Sequence, residues 1–328
     1  MKFRAGRIPE AARKQRLWGQ LSSTMNIATG AAAGSLAAET AQFAYGGSGP
    51  HGGPALALTV ATMLFAGVSY LASMQQTKLG GRGFVITIGK HFENRHRSAV
   101  AHLLRTCSIY ADVELAIQSS DPPDRVMGLA RDLTSSVVDS DFTTSGTSLR
   151  RKIILHAHMR EAVVMGRVLA TFIDPTPPVI LQHKLKDPTG YFEALRVPVP
   201  AGEADQTMTV SVEEAGGATT LLAVGINVLG SPDFAESVRA SMTSLSARRL
   251  ILLEAPTPLE GQHSYEPLMR RIEQEVKANL PGCDGVVFYI SAPSALAVGI
   301  GSLSLGPRRI RVGSFLGKDT PYQIDELP

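Results

Sequence analysis

The sequence predicts a duplicated α/β fold preceded by two membrane-spanning helices. An apolar strand, a turn and a small-residue helix occupy residues 284–305, and the segment 152–166 aligns without a gap with 285–299. A repeat of this length is typical of a duplicated α/β unit rather than of a solenoid. The membrane part is predicted because residues 21–45 contain no Lys or Arg and residues 55–73 contain no charged residue.

The second copy of the repeat has the pattern of a buried strand that leads into a helix. Residues 286–290 are β-branched or aromatic, as in a parallel sheet covered on both faces. Ser291 is a candidate N-cap, and Pro293 fits the first turn of the helix. The first backbone N–H groups of a helix lack intrahelical partners and attract anions, phosphates above all. We therefore expect this turn to face an anionic ligand.

The first copy matches the second position by position, with Ile153 opposite Val286 and Leu155 opposite Phe288. A Pro-containing turn and another strand follow each copy, so the repeat extends beyond the aligned segment. Residues 109–117 are left undecided, and Ser231 and Pro232 are predicted to open a helix. The strands that complete the prediction are 84–88, 178–183, 195–199, 208–212, 220–226, 249–254 and 309–313, and the helices are 95–106, 124–138 and 265–280.

Composition and charge exclude several classes of function. The net charge is +3, but the first eighteen residues hold six basic residues against one acidic residue, so the remainder is nearly neutral. Duplex nucleic acid requires a broad basic surface and is not an expected partner. The two cysteines, Cys107 and Cys283, are predicted to be core thiols in a reducing compartment, which excludes a disulfide scaffold and a cysteine-based zinc cluster.

Residues 19–76 are predicted to form a transmembrane hairpin. Basic residues lie outside both apolar segments, whereas the Gly/Pro loop 46–54 that joins them has none. The positive-inside rule then places both termini in the cytoplasm, as in a multi-pass protein of the bacterial inner membrane, with residues 1–18 as a basic cytoplasmic tail. A secretory signal peptide does not fit, because a second apolar segment follows at once.

Polar and small residues in the first of these segments suggest helix association. Ser35, Glu39 and Gln42 share one helix face, and Gly30 and Gly34 form a small-xxx-small motif. One interpretation is a helix that associates with copies of itself and lines a wet path, since acids within a membrane span usually face protein or water. In the other, Glu39 lies at the outer interface and both glycines pack against the second helix.

A ligand site is predicted at the carboxyl ends of the strands, where open α/β sheets bind their ligands. Pseudo-symmetry would bring two helix N-termini, several cations and some amide or hydroxyl donors together, which suits a compact ligand with several phosphates. In the alternative interpretation these strand ends simply turn and cap helices. The candidate ligand-binding residues are Gly89, Lys90, His156, His158, Arg160, Asn227, Ser291, Pro293 and Ser294.

The sequence contains no motif for a metal, a cofactor or catalysis. His156 and His158 could form a metal pair, but no third ligand is placed by motif, so no metal is predicted. Residues 47–52 match a dinucleotide fingerprint formally, yet they lie between the two predicted membrane helices, and no cofactor is predicted. Because nucleophile-elbow, Walker and paired-carboxylate motifs are absent, the chain is not expected to be an enzyme.

The strand, Ser-Ala-Pro turn and Ala/Gly helix of residues 286–301, with the terminal strand and the tail at Tyr322, resemble a SAVED domain. SAVED is a fusion of two CARF-like Rossmann-type units that senses cyclic oligonucleotides in bacterial CBASS antiphage defence. The resemblance covers residues 80–328 and implies units at 80–187 and 188–328. With the hairpin in front, the architecture is similar to transmembrane SAVED effectors. Residues 156–160 depart from the pattern of the second unit.

The resemblance implies a receptor rather than an enzyme. A cyclic trinucleotide would bind the SAVED head, and Lys90, His156, Arg160, Asn227 and Ser291 are hypothesised to line its pocket. Bound heads would assemble into a homo-oligomer, and the clustered hairpins would disrupt the inner membrane and cause abortive infection. Two alternatives stay open, a membrane-anchored enzyme that depends on a nucleotide or dinucleotide and a structural membrane adaptor whose head binds protein only.

Overall fold

In a computed structural model the chain forms two compact units. The first comprises residues 1–4, 84–102 and 111–328, and the second comprises residues 5–83 and 103–110. The structure describes residues 2–7, 9–44, 52–79, 81–88, 93–115, 125, 128, 131–132, 151–171, 177–184, 190–214, 216–217, 220–255, 264–306, 308–315 and 322–327.

Two long helices, α1 (Pro9–Ala44) and α2 (Gly52–Leu79), form the hairpin of the second unit. Small buried side chains lie between them, namely Ser22, Ala32, Ser69 and Ala72. The Ser69 hydroxyl is 2.5 Å from Oδ1 of Asn26 and 3.4 Å from the Ser22 hydroxyl. Small residues let helix backbones approach closely, so these contacts fix the pairing of the two helices.

The expected pair of membrane spans is not found. In the part of the chain that the structure describes, no helix combines the length and the apolar character needed to cross a bilayer. The helix α1 also begins at Pro9, inside the segment predicted as a basic tail. Over residues 19–76 the structure describes a hairpin of two long helices, and the predicted transmembrane character of that hairpin is not supported by it.

Gly30 and Gly34 are exposed. Among the residues that the structure describes, a Cβ atom added at either glycine would have no neighbour within 4 Å, which does not support the interpretation in which both pack against the second helix. Ser35 is also exposed, and its hydroxyl donates to the Ala31 carbonyl at 3.0 Å. The side chains of Glu39 and Gln42 lie outside the described residues.

The predicted duplication is confirmed by two six-stranded sheets of the same topology. Their orders are β1-β3-β2-β4-β5-β6 and β12-β11-β10-β8-β9-β7. When the first order is read from β6 to β1, each strand corresponds to the strand of the second sheet whose number is six higher, so β6 corresponds to β12 and β1 to β7. The strands are β1 (Lys2–Arg7), β2 (Gly81–Ile88), β3 (Cys107–Leu115), β4 (Arg151–His156), β5 (Val179–His183), β6 (Tyr191–Arg196), β7 (Thr209–Glu214), β8 (Leu221–Asn227), β9 (Arg249–Glu254), β10 (Gly285–Ser291), β11 (Arg309–Phe315) and β12 (Tyr322–Leu327).

The equivalent strands also pair in the same sense. In each sheet the strand of the sequence repeat, β4 or β10, runs parallel to the next strand, β5 or β11. The following strand, β6 or β12, is antiparallel in both. The remaining helices are α3 (Glu93–Thr106), α4 (Met159–Ala170), α5 (Phe234–Leu245), α6 (Glu266–Asn279) and α7 (Ser294–Gly301). Thus β4 with α4 and β10 with α7 are the two copies of the strand-turn-helix element.

Several predicted boundaries differ from the structure. The strand expected at 195–199 is β6, and it pairs with β5. It therefore belongs to the first sheet, and the division predicted between residues 187 and 188 stays a prediction. Residues 109–117 fall mostly in β3, and the helix predicted at 124–138 lies largely outside the described residues. Both cysteines are buried, as predicted, and neither forms a disulfide.

Ser231 and Ser291 are not helix caps, contrary to the prediction. Asp233, in the left-handed conformation with φ 59°, is the N-cap of α5, and Pro293 is the N-cap of α7. The backbone N–H of Ser231 donates to Oδ1 of Asn227 at 2.9 Å, which closes the turn after β8. The two serine hydroxyls lie 2.5 Å apart and bind each other instead of a helix end.

Candidate functional site

A cavity of about 370 Å³ lies in the first unit, at the carboxyl ends of β4 and β5 and beside the turn that follows β10. Both copies of the strand-turn-helix element contribute to it, because residues 154–159 and 292–294 lie in its wall. The predicted meeting of the two repeats at one edge is therefore present. The described residues that line the cavity are Arg95, Ile154, Leu155, His156, Ala157, His158, Met159, Leu181, Gln182, His183, Tyr191, Leu229, Tyr265, Ala292, Pro293 and Ser294.

Two histidines at the carboxyl end of β4 differ in solvent exposure. His156, the last residue of β4, is only 7% exposed, whereas His158 is exposed at the N-terminus of α4. The pKa of His156 is lowered to about 4, chiefly by burial and to a smaller extent by the electrostatic effect of the neighbouring His96, Arg95 and His183. His156 is thus neutral near pH 7, in surroundings that would favour an anion beside it.

The second half contributes the N-terminus of α7, and this end is tied to the first half. The Ser294 hydroxyl donates to the Leu155 carbonyl of β4 at 3.3 Å. The backbone N–H of Ala295 donates to Oε1 of Gln182, at the end of β5, at 3.2 Å. These bonds satisfy donors of the first helical turn and make one wall from both repeats.

The described lining residues are cationic, aromatic, apolar or, in Gln182 and Ser294, polar and uncharged, and none of them is Asp or Glu. Arg95, His156, His158 and His183 supply the positive or potentially positive groups. Such a set concentrates positive potential in a concave site and attracts anions. The apolar part of the wall comes from Ile154, Leu155, Leu181 and Leu229.

Two tyrosines provide aromatic surface and phenolic donors. The ring of Tyr191 lies 5.3 Å from that of His183, edge to face, and 5.0 Å from that of His102. Its hydroxyl donates to the Arg95 carbonyl at 3.4 Å. Burial raises the pKa of Tyr191, and it raises that of Tyr265 to about 12. Both phenols are consequently protonated at neutral pH and are hydrogen-bond donors.

Receptors of known structure share the fold of this chain. The Cap4 SAVED/CARF-domain containing receptor of Acinetobacter baumannii, with the cyclic trinucleotide 3′3′3′-cAAA, aligns with a TM-score of 0.50 and 14% identity over 83% of this chain and 59% of the receptor. With 2′3′3′-cAAA the same receptor gives a TM-score of 0.49 at 14% identity and the same coverage. The chain has the fold of a SAVED/CARF-domain receptor.

The likeness concerns the fold alone, because the identity is low and the chain spans about three fifths of the length of the Cap4 receptor. No protein-family model matches the sequence, and neither does any curated protein. The expected SAVED architecture of two CARF-like halves nevertheless agrees with the two equivalent sheets and with the sequence repeat.

The structure brings four of the predicted ligand-binding residues to the cavity. His156 and His158 come from the first half, and Pro293 and Ser294 come from the second. Gly89 and Lys90 lie outside the described residues. Among the described residues, no three His, Cys, Asp or Glu side chains lie close enough together to bind a metal ion, so no third ligand is found for His156 and His158.

Arg160, Asn227 and Ser291 are not among the described residues of the cavity wall. Arg160 is 4% exposed and pairs with Glu161 at 2.8 Å and with Asp325 of β12 at 3.7 Å. Asn227 is also buried, and its amide donates to the Ser231 carbonyl at 3.1 Å. These contacts identify Arg160 as part of a buried ion-pair cluster and Asn227 and Ser291 as parts of one turn.

Sequence reasoning missed Arg95, Gln182, His183, Tyr191 and Tyr265. Gln182 and His183 end the predicted strand 178–183, so the rule that placed His156 in the site applies equally to them. Arg95, Tyr191 and Tyr265 come from a helix, a strand start and a helix N-cap, and only the tertiary fold brings them to the cavity.

Proposed function

We propose that the chain is a receptor for a cyclic oligonucleotide and that the ligand binds in the SAVED-type cavity. The observation that carries this proposal is the composition of the cavity wall, which combines Arg95 and three histidines with two tyrosines and contains no carboxylate among its described residues. A cyclic oligonucleotide presents phosphates and bases, and these are the groups that cations and aromatic rings bind.

The phosphates are the part of the ligand that the cationic groups would bind. Arg95 is exposed, and a guanidinium forms two parallel hydrogen bonds with a phosphate. His156 is buried beside it and neutral near pH 7, so an anion in the cavity would raise its pKa and convert it into a second cation. The site would thus gain positive charge as it fills.

The bases are the part of the ligand that the aromatic and apolar groups would bind. Tyr191 and His183 form one edge-to-face pair in the wall, and Leu181 and Leu229 add apolar surface. Stacking of a base on such side chains contributes about 1–3 kcal/mol and tolerates any base. The cavity therefore suits a nucleotide better than it suits an inorganic anion.

The size of the cavity restricts how much ligand it holds. At about 370 Å³ it is at the lower end of the range of roughly 300–1,000 Å³ that ligand pockets span. We infer that one part of a cyclic trinucleotide enters the cavity and that the remainder contacts its rim. Support for this ligand class comes from the shared fold, since the Cap4 receptor structures contain 3′3′3′-cAAA and 2′3′3′-cAAA.

The test is calorimetric titration of the full chain with 3′3′3′-cAAA. We expect binding to wild type and a loss of roughly tenfold or more for Arg95→Ala, because a hydrogen bond to a charged group contributes about 1.5–3 kcal/mol. Arg309→Ala, at an arginine that is 73% exposed and does not line the cavity, is the matched control. Equal affinity of wild type and Arg95→Ala would contradict this site, and absence of binding to wild type would contradict the function.

We further propose that ligand binding is linked to a CBASS effector step in which heads self-assemble and hairpins disrupt the bacterial inner membrane. In support, α2 exposes large apolar side chains such as Met63 (70%), Leu64 (62%) and Tyr70 (67%). Exposed apolar surface of this kind marks contact with lipid or protein. On this proposal the protein resides at the inner membrane with both termini cytoplasmic and acts as a receptor, not as an enzyme.

The alternative of a nucleotide-dependent enzyme makes a different prediction for the same ligand. A receptor returns 3′3′3′-cAAA unchanged after prolonged incubation, whereas an enzyme converts it. Chromatography of the ligand recovered from wild type distinguishes the two outcomes.

A further inference from the structure

Gln182 occupies a position in the cavity that no motif indicates. It lies near the end of β5, in the first half, and contacts the first turn of α7, in the second half. Its Oε1 accepts the backbone N–H of Ala295 at 3.2 Å and lies 3.5 Å from the Ser294 hydroxyl. A single side chain therefore joins the two repeats at the cavity wall.

The contact with Ala295 fixes which way the Gln182 amide faces. A backbone N–H can only donate, so the amide atom 3.2 Å from it is the oxygen and not the nitrogen. The amide NH₂ is then turned away from the helix. Among the described residues, none accepts a hydrogen bond from Nε2 of Gln182, and the residue lines the cavity.

This arrangement changes how α7 would act on an anion. The N–H of Ala295, a donor that the sequence suggested for a phosphate, is already bound to Gln182. The partial positive charge of the helix N-terminus polarises the amide that caps it, which makes the NH₂ group a stronger donor. The electrostatic effect of the N-terminus of α7 is thus felt in the cavity through the polarised amide of Gln182.

We propose that Gln182 contacts the ligand directly, its amide NH₂ donating to a phosphate oxygen of the cyclic oligonucleotide. The inference rests on the proposed function, because it names a further residue of the same site. Because its oxygen is occupied, Gln182 offers only donors and selects for an acceptor at that point. It also ties recognition to both repeats, since Ala295 orients the group that Gln182 presents.

Gln182→Glu separates a ligand contact from a structural role. The carboxylate still accepts the N–H of Ala295, and a negative charge at a helix N-terminus is favourable, so the melting temperature should be unchanged or higher. The donor is lost, however, and a like charge faces the phosphate. Titration of the full chain with 3′3′3′-cAAA should show affinity lower by roughly ten- to a hundredfold, as expected when a charge-assisted hydrogen bond is lost.

Gln206→Glu is the matched control, since Gln206 is exposed, accepts a bond from Arg271 through its oxygen and does not line the cavity. Its affinity should equal that of wild type. Gln182→Met provides a second test that adds no charge, because it removes both the cap and the donor. We expect weaker binding together with a lower melting temperature.

Ionic strength tests the assignment to a phosphate. Repulsion between a carboxylate and a phosphate is screened by salt, so the affinity ratio of wild type to Gln182→Glu should shrink between about 50 and 500 mM NaCl. A ratio that did not change would indicate a base contact and overturn the assignment. Equal affinity of wild type and Gln182→Glu would overturn the inference and leave the proposed function standing. A wild type that bound no ligand would overturn both.

Discussion

Gly166 of α4 and Gly301 of α7 face each other where these two helices cross. A Cβ atom added at Gly166 would lie 3.0 Å from the Cα of Gly301 and would meet the carbonyl oxygen of Val298, and a Cβ at Gly301 would meet the carbonyl oxygen of Val163. The two helices are therefore in backbone contact. Because the first residues of both helices lie at the cavity, this contact sets the distance between the two halves of the site.

Gly166→Ala is expected to destabilise the protein. The methyl group would force α4 and α7 apart, and overpacking of this kind costs about 1–3 kcal/mol of the free energy of unfolding. Denaturant titration of the full chain measures the loss. Gly67→Ala is the control, because a Cβ at Gly67 meets nothing within 4 Å and alanine favours the helix. A Gly166→Ala variant as stable as wild type would show that the helices can separate freely.

His156 predicts how stability depends on pH. Its pKa is about 4 in the folded chain and 6.5 in the unfolded chain. Between these values the unfolded state binds more protons, so His156 makes the free energy of unfolding fall as the pH drops from about 6.5 to about 4. His156→Asn should flatten this part of the pH profile.

The same histidine predicts proton uptake when the proposed ligand binds. A phosphate beside His156 would favour the imidazolium, so the pKa of His156 would rise in the complex. Calorimetric titrations in two buffers of different ionisation enthalpy report the number of protons taken up. We expect net uptake near pH 6 for wild type and less for His156→Asn, with affinity increasing as the pH falls. Identical uptake by the two proteins would remove His156 from the site.

The duplication was predictable because the same strand-turn-helix pattern occurs twice in the sequence. The gapless match of residues 152–166 with 285–299 locates the two copies of the strand-turn-helix element, β4 with α4 and β10 with α7. The apolar strands were predicted from their own residues alone. Four of the sixteen described lining residues, His156, His158, Pro293 and Ser294, follow from the rule that strand ends bind ligands. Two of the failures, Arg160 and Ser291, came from polar residues that have partners distant in sequence. Nothing near Arg160 indicates that Asp325 lies within 3.7 Å of it.

The hairpin illustrates a different limit. The sequence located both helices, since long segments without charge and a Gly/Pro loop are local signals. It did not identify the contact between them, because Gly30 and Gly34 fit the small-xxx-small pattern while Ala32 and Ser22 lie on the buried face. Which face of a helix is buried depends on the rotation of its partner, and a motif of small residues does not determine that rotation.

Arg160 gives a prediction that separates stability from binding. Arg160→Met would leave the Glu161 carboxylate, 4% exposed, buried beside an apolar side chain. Removing one partner of a buried ion pair typically costs about 3–5 kcal/mol, so the free energy of unfolding should fall strongly. Asp325→Asn should cost less, because Asp325 is more exposed and 3.7 Å from Arg160. At a temperature where both variants are folded, 3′3′3′-cAAA should bind them with wild-type affinity, whereas a large loss of affinity would return Arg160 to the ligand site.

The apolar surface of α2 gives the prediction that tests the effector step. Leu64 and Leu71 are 62% and 60% exposed and lie seven residues apart, so they share one face of the helix. Replacing both with Lys places two charges where lipid contact is proposed, at a cost of about 2.5–3.5 kcal/mol for each charge that enters the bilayer centre. We expect the double variant to bind 3′3′3′-cAAA normally but to lose flotation with anionic phospholipid vesicles and ligand-dependent dye release. Leu104→Lys, at an exposed leucine of α3, should retain both activities. If wild type itself neither floats nor releases dye with ligand present, the proposed effector step is wrong. The proposed ligand site would not be affected by that result, because titration with the ligand tests the cavity independently of the hairpin.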